Sequence, residues 1–280
     1  MINTNPFSEL SGSISPEIMQ MYVILMVILV VGGVVLDMVH KKSAKYFFEN
    51  SKKAQKNAKR TVSSGEKVSL AVQTVASEVI TSSEFCNPAR RVSHLFLMYG
   101  FIIFVVSTAT LIFGYPTAAE AGIWPMLWHL GAAMVAIGGY WFWFLIRVDR
   151  YSEGAPLARL VRADLFIVSL LATVTFALIW SFAGAGLAGW NMLFFGLFVI
   201  SATVLFGGVI WSKFAHMFFK PAAAYQKKIT KADGSQENLP DVGEMNDPAI
   251  HARYPDIPEY MGTNPPNMGL GIKRESPNHY

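Results

Sequence analysis

The stretch RRVSHLFLMYGFIIFVVSTATLIFGY, residues 90–115, begins with two arginines and then continues for 24 residues without a formally charged side chain. A membrane-spanning α-helix needs about 20 consecutive, predominantly apolar residues. Residues 92–115 are therefore long enough to cross a bilayer. His94 lies one turn into the stretch, so this predicted helix carries an ionisable group close to its basic end.

Four further segments have the same length and character. The chain has 280 residues, of which 52% are hydrophobic and only 15% charged, whereas a soluble domain has about 25% charged residues. This composition indicates an integral membrane protein. We predict an all-α bundle of five transmembrane helices, at residues 18–38, 92–115, 123–146, 165–185 and 190–217.

The 23 Lys and Arg residues predict the orientation of these helices. Eleven lie in residues 40–91, four between the third and fourth segments, and eight at or after Lys213; the N-terminal tail and the turns at 116–122 and 186–189 have none. Cytoplasmic loops of membrane proteins carry the excess of Lys and Arg. We therefore expect the cytoplasmic (inner) membrane, with the N-terminus outside and the C-terminus inside. This bias explains the high pI, near 9.1, without a nucleic-acid partner.

The chain divides into three predicted regions. Residues 1–17 form an extracytoplasmic tail, and residues 18–217 form the membrane domain. Its basic insertion, 40–91, contains a Lys-rich amphipathic stretch that is expected to lie on anionic headgroups of the lipid bilayer. Residues 218–280 are rich in Pro, Gly, Asn and charge and lack an apolar period. We predict an extended cytoplasmic tail, either disordered alone or laid across a soluble partner.

Cysteine is present once, at Cys86. A single cysteine excludes an intramolecular disulfide and the usual four-thiolate ligation of an iron–sulfur cluster. Any such cluster in a functional assembly must belong to a partner.

Two histidines, His94 and His216, are expected at the same depth on the cytoplasmic side of facing helices. Ionisable side chains inside membrane helices are costly and are candidates for function. A buried pair at one level suits bis-imidazole ligation of haem iron within a helix bundle. Two histidines at helix ends could instead hydrogen-bond to lipid phosphate, and spacing alone does not decide between these readings.

Residues near the two histidines also suit a haem. Its propionates need cations, and four basic side chains flank the pair. Small residues on the same two helices, Gly100 on one and Gly207 and Gly208 on the other, would permit a close approach. The four candidate propionate partners are Arg90, Arg91, Lys213 and Lys220.

Two motifs in these segments resemble a known family. RRVSHLFLMYGF (90–101) and SKFAHMFFKP (212–221) are similar to the starts of the second helix and the ends of the fifth helix in the gamma-subunit family of respiratory nitrate reductase. Members of that family are five-helix b-type cytochromes that pass electrons between quinone and a cytoplasmic iron–sulfur partner. The resemblance implies that His94 and His216 are the axial ligands of one haem b.

The chain also departs from that family's pattern. The family has a second histidine on each of the two helices for a second haem, but here Phe104 and Phe198 fall near those positions, so we expect a single haem. His129 is the one histidine predicted in the outer half. It could donate a hydrogen bond to a quinone, or it could belong to an interfacial aromatic belt with Trp124 and Trp128.

The C-terminal sequence GLGIKRESPNHY (269–280) is similar to that of membrane anchors associated with dissimilatory adenylylsulfate reductase of sulfur-oxidising bacteria. This resemblance implies a cytoplasmic flavin and iron–sulfur partner and a chain that is not catalytic alone. The expected function is a membrane anchor and electron-transfer subunit linking that oxidoreductase to quinone through one haem b. The alternative is a haem-free anchor that only docks a soluble redox partner.

Overall fold

The computed structural model describes residues 2–83, 85, 87–147, 160–212, 214, 216–236 and 247–261. The chain forms two compact units. One comprises Met1–Lys45 and Asn87–Lys220, and the other Tyr46–Cys86 and Pro221–Tyr280. The described residues are helical and contain no strand beyond one isolated bridge between Thr4 and Glu120.

Five of the helices are long and apolar enough to cross a membrane, which confirms the predicted all-α membrane bundle. π-helical turns extend α4 (Val75–Ile80) and α6 (Phe142–Ile146). The five long helices are α2, α5, α6, α7 and α8. In chain order the helices are α1 (Pro6–Leu10), α2 (Pro16–Lys41), α3 (Ser43–Lys56), α4 (Ser64–Thr74), α5 (Pro88–Gly114), α6 (Trp124–Trp141), α7 (Leu165–Phe182), α8 (Trp190–Gly207), α9 (His216–Ala232), α10 (Pro248–Arg253) and α11 (Asp256–Met261).

The fifth long helix is shorter than predicted. We expected it to continue to residue 217, but α8 ends at Gly207 and a 3₁₀ turn, Val209–Trp211, follows. Two consecutive glycines, Gly207 and Gly208, weaken the helix at this point because glycine loses the most backbone entropy on ordering. α8 therefore has 18 residues, about 27 Å of helix, and His216 begins a separate helix.

The closest helix contact joins α5 and α6. A Cβ atom added at Gly131 would lie 2.6 Å from the Phe104 amide nitrogen, and one at Gly138 would lie 2.8 Å from the Ser93 carbonyl oxygen. The Ser93 hydroxyl also donates to the Gly138 carbonyl at 2.9 Å. Gly100 faces this same contact, because a Cβ there would lie 2.8 Å from the Val135 nitrogen. The expectation that Gly100 serves an approach to α8 is therefore wrong.

The five long helices form a ring, and hydrogen bonds join several of the neighbouring pairs. The Tyr140 hydroxyl pairs with Thr175 at 2.9 Å between α6 and α7, and α7 packs against α8. The Tyr22 hydroxyl pairs with Thr203 at 3.0 Å between α2 and α8, and the Gln20 amide donates to the Ile112 carbonyl of α5 at 3.2 Å. The ring order is α2, α5, α6, α7, α8.

The N-terminal segment closes one end of this ring, which we call the loop end. Asn5 is fully buried; its side-chain amide donates to the carbonyls of Tyr115 and Ala118 at 2.8 and 3.2 Å. Phe7 packs between Trp128 and Trp180, with ring centroids 5.8 and 5.7 Å away. Residues 2–15 of the predicted N-terminal tail therefore pack against the loop end of the bundle, and Pro16 already belongs to α2. The opposite end of the bundle, which carries Arg90, Arg91 and Arg162, is called the basic end.

The second unit contains part of the predicted extended tail. The amide of Lys59 donates to the Asp233 carbonyl at 2.8 Å, and Lys228 donates to the Ser77 hydroxyl at 2.8 Å. Thr230 and Asp233 are buried. The first part of the predicted tail is therefore helical to Ala232 and buried at Asp233, so it is not extended from residue 218. Residues 237–246 and 262–280 of the predicted tail lie outside the described residues.

Candidate functional site

Four aromatic rings meet at the basic end of the bundle, and we call them the phenylalanine cluster: Phe101 of α5, Phe166 of α7, Phe206 of α8 and Phe214 in the segment after α8. The Phe214 ring centroid lies 6.3, 5.4 and 6.1 Å from those of Phe101, Phe166 and Phe206, in that order. Phe214 is only 3% exposed. Phe214, which lies outside any helix, thus packs between α5, α7 and α8.

Each of the two predicted haem ligands lies close in the chain to a member of the phenylalanine cluster. His94 precedes Phe101 by seven residues, so the two side chains share a face of α5 and His94 lies about two turns nearer the basic end. His94 is half-buried. His216 begins α9 two residues after Phe214, and its side chain lies outside the described residues. The fold therefore brings both ligand positions to one end of one unit.

Three of the four predicted propionate partners lie at the same end. Arg90 and Arg91 occupy the first turn of α5, where Arg90 is exposed and Arg91 half-buried. Lys220, the fifth residue of α9, is half-buried. Lys213 lies outside the described residues. The described cations are thus near the basic end, where side chains that neutralise haem propionates would have to lie.

A haem b held by His94 and His216 would have to lie on the basic side of the phenylalanine cluster. The four rings contact one another and Phe214 is buried, so the space between α5, α7 and α8 at their level is filled. The donor set itself suits the group, because it offers imidazoles on two chain segments, an apolar wall and nearby cations.

His129 is held inside the protein and has no unused ring nitrogen. Its Nδ1 lies 2.7 Å from the Pro125 carbonyl and its Nε2 lies 2.8 Å from the Ser181 hydroxyl. A carbonyl can only accept, so Nδ1 carries the proton, and the neutral ring accepts at Nε2 from Ser181. The ring is 5% exposed and meets Trp128 edge to face at 4.9 Å. This geometry joins α6 to α7 and offers no ready donor to a quinone.

The two phenylalanines that stand where a second haem's ligands would be are packed against tryptophans. Phe104 lies 5.3 Å from Trp128, and Phe198 lies 6.1 Å from Trp180, measured between ring centroids. Trp128 and Trp180 are both fully buried. Aromatic side chains therefore occupy the core of the loop-end half.

Sequence reasoning overlooked Asp37. It lies in α2 and is 3% exposed, one turn beyond Gly33, whose added Cβ would lie 2.8 Å from the Val209 Cβ. Asp37 thus shares the face of α2 that meets the 3₁₀ turn after α8. The signal was available, because Asp37 is the one acidic residue of the apolar run 18–38, and such residues are functional candidates.

No protein-family model matches the chain, and neither does any curated protein or solved structure.

Proposed function

We propose that the chain is the membrane anchor and electron-transfer subunit of a quinone-linked oxidoreductase in the cytoplasmic membrane, with its C-terminus in the cytoplasm. Its soluble partner carries flavin and iron–sulfur centres and is a dissimilatory adenylylsulfate reductase. The observation that carries the proposal is the contact of Phe101 with Phe214, 6.3 Å between ring centroids. This contact brings the face of α5 that bears His94 towards the segment that leads to His216.

Each residue has a role in this proposal. His94 and His216 would ligate one haem b, and Arg90, Arg91, Lys213 and Lys220 would neutralise its propionates. When bound, haem b supplies a one-electron carrier between the partner and quinone. The phenylalanine cluster would keep water out of the core next to the haem ligands. Exclusion of water lowers the local dielectric constant and so strengthens the electrostatic effect of the nearby cations.

Two buried residues are candidates for the quinone contact. His129 remains the candidate from the sequence, but its Nε2 would first have to release Ser181. It could then accept from a quinol hydroxyl, or take up a proton and donate to a quinone carbonyl. Asp37 is a second candidate, because a buried carboxyl group near the basic end could take up the proton that quinol oxidation releases. Either residue would have to lie beside the quinone head group.

One observation favours the alternative, a haem-free anchor that docks a soluble redox partner. The phenylalanine cluster fills the space between α5, α7 and α8, with adjacent centroids 5.4 to 6.3 Å apart. A bundle whose core is already packed can serve as an anchor without any cofactor. Its second unit would then make the only functional contact, with the partner.

The experiment that separates the two is a dithionite-reduced spectrum of the purified full-length chain. The lead proposal expects a b-type α-band, about one haem per chain, and loss of that haem in both His94→Ala and His216→Ala. His40→Ala is the matched control, because His40 is an exposed histidine at the end of α2, and it should keep the haem. Retention of haem by either ligand variant contradicts the pairing. A haem-free wild type that still binds the reductase supports the anchor alone.

A further inference from the structure

Helix α3 has two sides of different character within the second unit. Phe47 is half-buried and Ala54 is only 1% exposed, so the side of α3 that carries them packs into the unit. The side turned away from Ala54 is exposed, and its one aromatic residue, Phe48, is 62% exposed. Four residues share this second side by helical spacing, and we call it the outer face: Phe48, Glu49, Lys52 and Lys56.

Positive charge is concentrated in and around α3 and is not a property of the second unit as a whole. Residues 46–86 and 221–280 hold 12 Lys and Arg and 12 Asp and Glu, so the net charge of the unit favours no partner. Residues 41–60, by contrast, hold eight Lys and Arg and a single acid, Glu49. The other eleven acids of the unit follow residue 60. The attraction for anions is therefore local to α3.

Helix α3 begins where the chain leaves the first candidate membrane span. That span is α2, which ends at Lys41, and α3 starts at Ser43. Val39, in the last turn of α2, is 70% exposed, so the apolar outer surface of α2 continues to that turn. The chain covers at most about 3.6 Å per residue, which keeps the start of α3 within about 7 Å of the end of α2. Lipid headgroups at the end of α2 are thus within reach of α3.

The side chains of the outer face match an anionic phospholipid surface. Helices that lie in the headgroup region combine Lys and Arg with Trp, Phe or Leu, whose apolar groups enter the acyl boundary. Phe48 lies one turn from Lys52, and the lysine stem can follow an apolar surface while its ammonium group reaches a phosphate. Helix α4 lacks this pattern, because α4 and its π-helical extension have one cation, Lys67, two glutamates and no aromatic residue.

We infer that the outer face of α3 is a binding site for anionic phospholipids of the bilayer that α2 crosses. Lys52 and Lys56 contact headgroup phosphates, and the Phe48 ring enters the boundary between headgroups and acyl chains. A cluster of about four to eight basic residues directly after a membrane helix is typical of such sites. The inference is independent of the proposed redox function, and it narrows the lipid contact expected of residues 40–91 to one face of one helix.

A spin label at Gln55→Cys, in a full-length chain with Cys86→Ser, tests the inference in nanodiscs that hold one chain each. Gln55 is exposed and follows Phe48 by seven residues, so the label lies beside the outer face without replacing a proposed contact. In phosphatidylcholine discs containing phosphatidylglycerol, we expect low access to a water-soluble nickel chelate and high access to oxygen. In pure phosphatidylcholine the chelate should gain access. Val72→Cys, at an exposed position of α4, is the control label and should stay open to the chelate in both lipids.

Charge variants measure what the lysines contribute. Lys52→Gln and Lys56→Gln should each shift the ratio of docked to undocked label about fivefold towards the undocked form, the equivalent of about 1 kcal/mol per lysine at an anionic surface. Lys67→Gln removes one exposed charge from α4 and should leave the ratio unchanged. Phe48→Ser should also lower the ratio, because the ring no longer anchors the helix. Circular dichroism should show the same helix content in all variants, since the replaced side chains are exposed.

Three results overturn the inference. A Gln55 label that stays open to the chelate in phosphatidylglycerol discs would show that the outer face lies in water. Equal protection in both lipids, or equal effects of Lys52→Gln and Lys67→Gln, would show that charge on this face does not select the lipid. Spin–spin broadening in discs loaded with two chains, with protection absent from single-chain discs, would assign the face to a second copy. Haem content and reductase binding are measured separately, so the proposed function survives each of these results.

Discussion

Phe101 in α5 and Phe214 in the irregular segment after α8 meet edge to face, with ring centroids 6.3 Å apart and an interplanar angle of 80°. This is a favourable geometry for aromatic pairs. The segment that carries Phe214 has left its helix, yet its side chain is buried among three others. Phe214 thus fixes where the chain goes between α8 and α9, and with it the position of His216.

Phe214→Ala should destabilise the membrane unit by packing loss. Phe→Ala in a soluble core costs about 3–5 kcal/mol; we expect on the order of 2 kcal/mol here, because lipid supplies no comparable hydrophobic driving force. Thermal unfolding in detergent measures this change. Trp211→Ala is the control, because Trp211 is an exposed aromatic in the same segment, 56% exposed. Equal effects of the two variants would contradict a central role for Phe214.

His129 and Ser181 should be energetically coupled. Ser181→Ala leaves the buried Nε2 of His129 without its partner, which costs about 1–3 kcal/mol. In a double-mutant cycle with His129→Ala, we expect a coupling of about 1 kcal/mol in unfolding free energy. Additive effects would show that the 2.8 Å contact contributes nothing.

The same two variants separate a structural role of His129 from a quinone role. If the ring only joins α6 to α7, both variants should lower stability and leave quinone-linked turnover per folded molecule unchanged. A large fall in turnover for His129→Ala with normal turnover for Ser181→Ala would assign the ring to quinone instead. Turnover is measured with the reconstituted complex.

Gly131→Ala and Gly32→Ala should have opposite effects. A methyl group at Gly131 would lie 2.6 Å from a backbone nitrogen of α5, whereas nothing lies within 4 Å of one at Gly32. Overpacking costs about 1–3 kcal/mol, and backbone atoms cannot swing aside, so Gly131→Ala should lie at the upper end of that range. Gly32→Ala should be neutral or stabilising by up to about 1 kcal/mol. Both are measured by thermal unfolding in the same detergent.

The Arg60–Glu66 ion pair should give the second unit a weak pH dependence. The hydrogen bond from the Arg60 guanidinium holds the pKa of the Glu66 carboxyl below its ordinary value. A lowered folded-state pKa means that the pair stabilises the unit above the ordinary carboxyl pKa. That contribution disappears as the pH falls through the lower, folded-state value.

An NMR titration of the Glu66 carboxyl carbon measures this shift. Arg60→Gln should raise the Glu66 pKa towards its ordinary value, because the hydrogen bond at Ser63 remains, and added salt should reduce the shift in the wild type. Lys67→Gln is the control, since Lys67 neighbours Glu66 in sequence but does not bond to it. A Glu66 pKa that Arg60→Gln leaves unchanged would contradict the assignment.

The sequence by itself determined the number of membrane helices, because an apolar run of about 20 residues has few alternatives in a bilayer. It also found the N-terminal ends of several helices closely; Trp190 was predicted and observed as the first residue of α8. The end of that helix was missed, because hydropathy averages over a window and the pair Gly207–Gly208 interrupts the helix without lowering the apolar content.

Only the tertiary structure decided which faces meet. Gly100 was expected to serve α8 but packs against α6, because helix neighbours depend on the ring order, which a linear pattern does not encode. Asn5 seals the loop end through carbonyls 110 or more residues away, and no local signal foretells such a contact. That His94 and His216 share a level is a prediction from topology alone. The cluster of phenylalanine rings on the core side of His94 depended on side-chain packing in three dimensions.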